Sequence, residues 1–292
     1  MRLAVLTSSE SWYFQDICRA ASPADEIIAV SFSRLCSSIE TDNLSVTTNE
    51  WNLSQFDAVL VRTMPPGSLE QVVLRMDLLG ALESQGCPVV NSPKSLEAAV
   101  DKYLASLQLM AAGLRVPRTV VCQGWGEALR AFRQLGGDVV VKPLFGGEGR
   151  GIARLSDEAL AERAFKMLDQ LNSVIYLQEF LPHEGFDLRL FVVGSHVLGM
   201  KRVNEDDWRT NVALGAKSET LEVTDELADI ARRSAASVGA SVAGVDVLPA
   251  RDGNLYVLEV NAVPGWKSLA KTVNTDVGAL VLEHVRSLVG RS

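Results

Sequence analysis

The chain has 292 residues, 47% of them apolar, and a formal net charge of −8. That length supports two or three small domains, and the acidic balance argues against nonspecific nucleic-acid binding while leaving local arginines free to hold a small anionic substrate. Four scattered cysteines without a Cys-x-x-Cys pair, three histidines and no apolar run of membrane-span length argue against a disulfide framework, a structural zinc site and a membrane helix, so a reducing cytoplasm is expected.

Leu3–Leu6 is too short for a signal-peptide core and reads as a first strand, followed by similar short runs at Ile27–Val30, Ala58–Val61 and Pro88–Val90. Between the last two, Ser68–Glu83 carries apolar residues at helical period. Residues 1–92 are therefore predicted as an open α/β domain with a parallel sheet. Ser92 and Pro93 start a helix whose pattern runs through Leu96, Tyr103 and Met110 and stops near Gly113. Strand Thr119–Cys122, helix Gly126–Leu135, strand Asp138–Lys142, a glycine-rich turn, strand Gly151–Arg154 and helix Asp157–Leu171 complete an α+β unit over residues 93–173. Residues 174–292 form the third unit. Its strands are Val174–Gln178, Asp187–Val193, His196–Arg202, Val242–Leu248 and Leu255–Val260, with turns at Gly194-Ser195 and Asp252-Gly253-Asn254. Helices are predicted at Asp225–Val238 and from about Asp276 to Leu288.

Chemistry enters at strand ends. Glu259 and Asn261 are two residues apart and face one side of a strand, and Asp246 lies inside an apolar strand predicted to pair with it. Buried Asp246 needs a partner, either a metal or an arginine. If it is a metal, three oxygen ligands suit magnesium, which shares its shell with phosphates. Lys142 ends a buried strand, and Gly146, Gly147, Gly149 and Gly151 follow in a loop whose amides can converge on phosphate oxygens. Read alone, these are a snorkelling lysine and a flexible hairpin. Gln178 and Glu179 end another strand beside an apolar run, a setting suited to an adenine edge and a ribose hydroxyl. Arg189, Arg202 and Arg209 can converge on a phosphate and a carboxylate; the plainer alternative is surface charge on a half-exposed sheet.

Taken in order, Asn91-Ser92-Pro93, Asp101-Lys102, Val141-Lys142-Pro143 with its glycine loop, Gln178-Glu179-Phe180, Asp187-Leu188-Arg189, Arg209-Thr210-Asn211, Gly244-Val245-Asp246 and Glu259-Val260-Asn261 with Pro264-Gly265 resemble the ATP-grasp superfamily, and within it the RimK-type α-L-glutamate ligases. The resemblance implies an ATP-grasp fold of mixed α/β and α+β type: an N-terminal pre-ATP-grasp domain, a central lid-bearing domain and a C-terminal ATP-grasp domain with the metal site. It implies ATP as co-substrate, with Lys102 and Lys142 on its phosphates. Gln178, Glu179 and Asp187 would hold its adenosine, and Arg209, Thr210 and Asn211 its phosphate end. Asp246, Glu259 and Asn261 would hold magnesium or manganese.

The implied reaction joins a carboxylate to an amine through an acyl phosphate, with Arg189 and Arg202 as the catalytic cations and L-glutamate as the amino acid. A homo-oligomer is compatible with the family. Arg62-Thr63-Met64-Pro65-Pro66-Gly67-Ser68-Leu69-Glu70-Gln71 and Val263-Pro264-Gly265-Trp266-Lys267 look like the subgroup associated with tetrahydromethanopterin and related C1 carriers, implying a pterin- or furan-type acceptor. Arg62, Arg75, Pro264 and Gly265 are the candidate substrate residues; surface or helix-face arginines are the alternative for the first two. The lid loop departs from the family pattern, with Glu148 and Arg150 where many ligases carry small residues with Gln or Lys. Competing functions are a ligase for another amino acid, an ATP-grasp kinase and a non-catalytic nucleotide-binding module.

Overall fold

The computed structural model describes residues 1–48, 50–147, 149–210 and 215–289. The N-terminal unit contains β1 (Arg2–Leu6), α1 (Trp12–Ala20), β2 (Glu26–Val30), β3 (Cys36–Glu40), β4 (Asn43–Thr47), β5 (Ala58–Val61), α2 (Leu69–Ser84) and β6 (Val89–Val90). Its main sheet has the order β2-β1-β5-β6 and is parallel throughout, as the apolar runs predicted. A capping box starts α2: Ser68 Oγ accepts from the Gln71 amide, and the Gln71 side chain accepts from the Ser68 amide. Helix α1 and the β3–β4 hairpin were not predicted. The first opens on three aromatics without a side-chain cap; the second is mostly polar and exposed and has no apolar run to mark it.

The helical pattern from Leu96 to Met110 resolves into two helices, α3 (Pro93–Val100) and α4 (Lys102–Ala111). Asp101 is extended between them, and its Oδ1 accepts from the Tyr103 and Leu104 amides. A short side-chain acceptor favours a cap over a helix interior.

The central sheet is built from β7 (Thr119–Cys122), β8 (Val139–Lys142), β9 (Ala153–Leu155) and β10 (Ile175–Glu179), ordered β7-β10-β8-β9. Helices α5 (Trp125–Gln134) and α6 (Glu158–Gln170) cover it, with Phe132 and Phe165 in a core of its own. The predicted boundary at 173/174 needs correction, because β10 is an inner strand of this sheet. The boundary at 92/93 also shifts. Leu96, Ala105 and Leu109 of α3 and α4 join the large core shared with Leu6 of β1 and with the last sheet. Burial therefore places residues 119–179 in the central unit.

The C-terminal unit contains β11 (Phe186–Val193), β12 (His196–Val203), β13 (Lys217–Thr220), α7 (Asp225–Ser237), β14 (Val242–Pro249), β15 (Leu255–Asn261), α8 (Lys267–Val273) and α9 (Val277–Val289). Its sheet, β13-β12-β11-β14-β15, is antiparallel. Period-two alternation divides β11: Leu188, Leu190 and Val192 face the large shared core, while Phe191 and Val193 face the core around Trp266 and α9. Arg189 shares the second face with Phe191 and Val193, so the polar cluster occupies the end of that face away from α9.

Asn91, just after β6, ties the first and last sheets together. Its Nδ2 donates to Val242 O (2.7 Å) and Ala262 O (2.6 Å), and its Oδ1 accepts from the Ser241 and Val242 amides. No helix among the described residues is long and apolar enough to cross a membrane.

Candidate active site

Register brings the acidic residues together. Asp246 of β14 lies opposite Glu259 of β15 and opposite Arg189 of β11, and Gly244 lies opposite Asn261. Arg202 of β12 lies opposite Asp187 of β11. Arg189 Nη1 donates to Asp246 Oδ1 at 2.7 Å, and a Cβ on Gly244 would overlap its guanidinium. Arg202 binds both oxygens of Asp187, at 2.7 and 2.5 Å, and reaches Asp246 Oδ2 at 3.0 Å. Burial pushes the Asp246 carboxyl upward, but the Arg202 and Arg189 guanidiniums outweigh it and hold the group at about 2. Burial opposes the charge on Arg202 as well, and Asp246 and Asp187 more than restore it.

Glu259 differs. It accepts no hydrogen bond and makes no ion pair among the described residues. Burial raises its pKa and Asp246 adds to the rise, against Lys102, Lys142 and Arg189. The same carboxylate lines three cavities. One is a narrow cleft of 90 Å³ between the central and C-terminal sheets, walled by Val140, Ile152, Leu248 and Leu258. It is smaller than the ~300 Å³ of a typical ligand pocket. The second, of 280 Å³, lies under Gly146 and Gly147. The third, of 450 Å³, is lined by Arg62, Arg189 and Arg202, with Asn261, Gly265 and Lys267 at its edge.

The lysines sit where the cleft meets the glycine loop. Lys142 Nζ donates to Gln178 Oε1 at 2.6 Å, and burial lowers its pKa to about 8, with Glu259 opposing and Lys102 assisting. Lys102 Nζ donates to the Gly146 carbonyl and so anchors the loop. Gly146, Gly149 and Gly151 have φ of +115°, +72° and +72°, a region that favours glycine. Glu148 lies outside the described residues.

Three residues expected on adenosine have other partners. Gln178 spends its oxygen on Lys142 and its nitrogen on Thr119 Oγ1 (3.1 Å). Glu179 is held by the Arg118 amide (2.8 Å) and Arg118 Nε (2.6 Å). Asp187 is the bidentate partner of Arg202. Each of these side chains therefore has a protein partner at its polar end. The amides of Glu179 and Phe180 already donate to Arg118 O and Asp138 O, and that of Leu181 donates to no described residue.

Arg209, expected on phosphate, forms a fork with Asp207 at 2.6 Å within the turn that Asn204 organises. Thr210 is buried beside Asp187, and Asn211 lies outside the described residues. Arg75 does not line these three cavities; its Nη1 holds the Pro65 carbonyl at 2.6 Å. Arg62 does line the large one. It is buried, its Nη2 donates to Pro264 O (2.6 Å), and it stacks on Trp266 (4.2 Å) and Tyr13 (4.9 Å). It has no carboxylate partner among the described residues, and burial lowers its pKa to about 10. Tyr13 and Arg118 were not singled out in the sequence, and Tyr13 lies on the unpredicted α1. Lys267 closes the Val263–Lys267 motif without having been named a site residue, and it lines the 450 Å³ cavity.

Among the described residues no three His, Cys, Asp or Glu side chains converge on a metal position. The donor set nevertheless fits a hard cation that completes its shell with phosphate: unpartnered Glu259, Asp246 opposite it, and Asn261, whose Oδ1 already accepts from Val263 N at 2.8 Å.

A sheet-bounded cleft with two lysines, a glycine loop and a carboxylate unpartnered among the described residues is the arrangement of a nucleotide-binding site. Comparison with known proteins agrees. Residues 99–285 match the RimK-like ATP-grasp domain, and residues 26–97 match the prokaryotic glutathione synthetase N-terminal domain. The chain is 32% identical over 266 residues to a tetrahydromethanopterin:alpha-L-glutamate ligase of Methanosarcina acetivorans, covering 81% of this chain and 82% of the relative. It is 31% identical to the alpha-aminoadipate–LysW ligase LysX of Saccharolobus solfataricus, covering 71% and 78%. The ATP-grasp ligase PsnB, solved with a minimal precursor, superposes with a TM-score of 0.79 at 23% identity over 98% of both chains. A second PsnB structure contains Mg and ADP as well. The chain belongs to the RimK-like ATP-grasp family. It is an ATP-dependent, ADP-forming ligase that joins a carboxylate to an amine.

Proposed function

We propose that this ligase adds L-glutamate, through its amine, to a carboxylate acceptor of the pterin- or furan-type C1-carrier class. The observation that carries the reading is Arg62, a buried guanidinium without an anionic partner among the described residues, opening on a 450 Å³ cavity whose other walls hold Arg189 and Arg202. A buried cation lacking a counter-charge suits a substrate that brings one. The relative named for tetrahydromethanopterin supports the acceptor class.

Lys142 and Lys102 bind the nucleotide phosphates, and the glycine loop covers them to keep water from the acyl phosphate. The Leu181 amide meets the adenine edge. Glu259, Asp246 and Asn261 hold magnesium, which neutralises phosphate charge when bound. Arg189 Nη2 and Arg202 Nη1 donate to no described residue, so the Asp246 and Asp187 clamps leave each guanidinium a face for the acyl phosphate and the oxyanion that follows. Catalysis is then positioning and charge neutralisation.

The test is an ATP-turnover screen with glutamate against candidate carboxylate acceptors, with product masses recorded. Gain of a glutamyl unit with ADP release is the expected result. ADP release with a stable phosphorylated product would replace this reading with a kinase, and turnover only with another amino acid would replace glutamate.

A further inference from the structure

The N-terminal sheet carries a second cavity, of 410 Å³, which none of the ligase roles uses. It lies at the carboxyl edge of the sheet, where the chain passes from β1 to β2 on one side and returns to β5 on the other. Open parallel sheets bind ligands at this switch point. Phe32 and Trp51 supply its aromatic walls, and hydroxyls of Ser8, Ser9 and Ser31 supply a polar rim. Arg34 and Glu50 are the charged groups on its edge, and neither makes an ion pair among the described residues.

The cavity and the active site are separated by one loop. Beyond β5, Arg62 lines the 450 Å³ cavity and Met64 the cavity under the glycine loop, while Thr63 and Pro65 line the N-terminal cavity. Successive residues thus serve opposite sides of a single extended segment.

We infer that the N-terminal cavity is a binding site for the planar, heteroaromatic end of the acceptor, and this rests on the acceptor class proposed above. The ring stacks against Phe32 and Trp51. Glu50 accepts from ring N–H donors, and Arg34 meets an anionic substituent. The acceptor's distal carboxylate crosses the Thr63–Met64 segment to Arg62. An acceptor so held spans both domains, which gives the ligase a reason to discriminate whole cofactors from free dicarboxylates.

The probe is pterin-6-carboxylate, a fluorescent planar ring with N–H donors and one anionic group, titrated into the full chain and read by anisotropy. Saturable binding that weakens about tenfold or more in Arg34→Ala, from loss of a charge-assisted hydrogen bond, and in Ser9→Trp, which fills the cavity, while Arg130→Ala at the exposed face of α5 binds as the parent does, supports the site. Equal affinity in the parent and both cavity variants, an equal loss in Arg130→Ala, or no saturable binding would each overturn it. The titration needs no turnover. Failure of the glutamate screen therefore counts against the proposed amino acid and acceptor class, whereas parent-like binding in both cavity variants counts against the cavity.

Discussion

Asp246 and Glu259 face each other across one strand pair, yet they live in opposite electrostatic settings. Asp246 belongs to a closed lattice in which Arg189 and Arg202 satisfy both oxygens and Asp187 satisfies Arg202 from behind. Glu259 looks into the clefts with no partner among the described residues, its charge disfavoured by burial and by Asp246. The lattice fixes its arginines in direction before substrate arrives, and it leaves Asp246 only its remaining lone pairs for a cation. The cleft side is unfinished, and the missing charges are those of a nucleotide and its cation. The same residue chemistry thus serves preorganisation on one strand and ligand capture on the next.

The largest expected effect falls on the closed side. Asp246→Asn should lower unfolding free energy by about 3–5 kcal/mol, because Arg189 loses its carboxylate and Arg202 keeps only one. Denaturant melts measure it, and a loss under ~1 kcal/mol would place Asp246 with the cleft group instead. Its pH signature has a definite sign. The folded carboxyl is depressed to about 2. Its stabilisation is therefore complete above the ordinary aspartate value of ~3.9 and is lost as pH falls toward the folded value. The acid melt of the variant should lack that limb.

On the open side the effect shifts from stability to turnover. Glu259→Gln should cut magnesium–ATP turnover by about 10²–10³-fold and leave the melt within ~0.5 kcal/mol of the parent. Full turnover in the variant would remove Glu259 from the metal set. The smallest effect concerns Lys142, whose ammonium is charged below about 8 and neutral above it. Phosphate binding favours the charged form, so kcat/KM for ATP should fall about tenfold per pH unit once above that value. In Lys142→Arg the cation persists and the fall should disappear. An identical alkaline limb in that variant would assign the titration to another group.

Much of this enzyme was legible before folding was considered. The short apolar runs located the strands of the parallel sheet, because a strand buried on both faces must be apolar throughout. The glycines of the lid loop and the oxygen set Asp246, Glu259 and Asn261 were read from residue type and spacing, whereas Arg62 came from the resemblance of its segment to a cofactor-associated subgroup. The polar β3–β4 hairpin left no such trace, and Asp101 hid a helix break inside an unbroken apolar period.

Partner choice was settled only in three dimensions. Gln178 and Glu179 looked like nucleotide ligands because they end a strand with polar groups, and Asp187 was added to them by the family resemblance. Lys142, Arg118 and Arg202 reach them first, from positions 36, 61 and 15 residues away. The amino-acid order was enough to place the apolar strands and the amphipathic helices and the chemistries they carry, because burial periodicity and backbone preference are local. Tertiary structure decided which carboxylates are neutralised and which stay open, because a charge is satisfied by whatever the fold brings within about 3 Å, however distant along the chain.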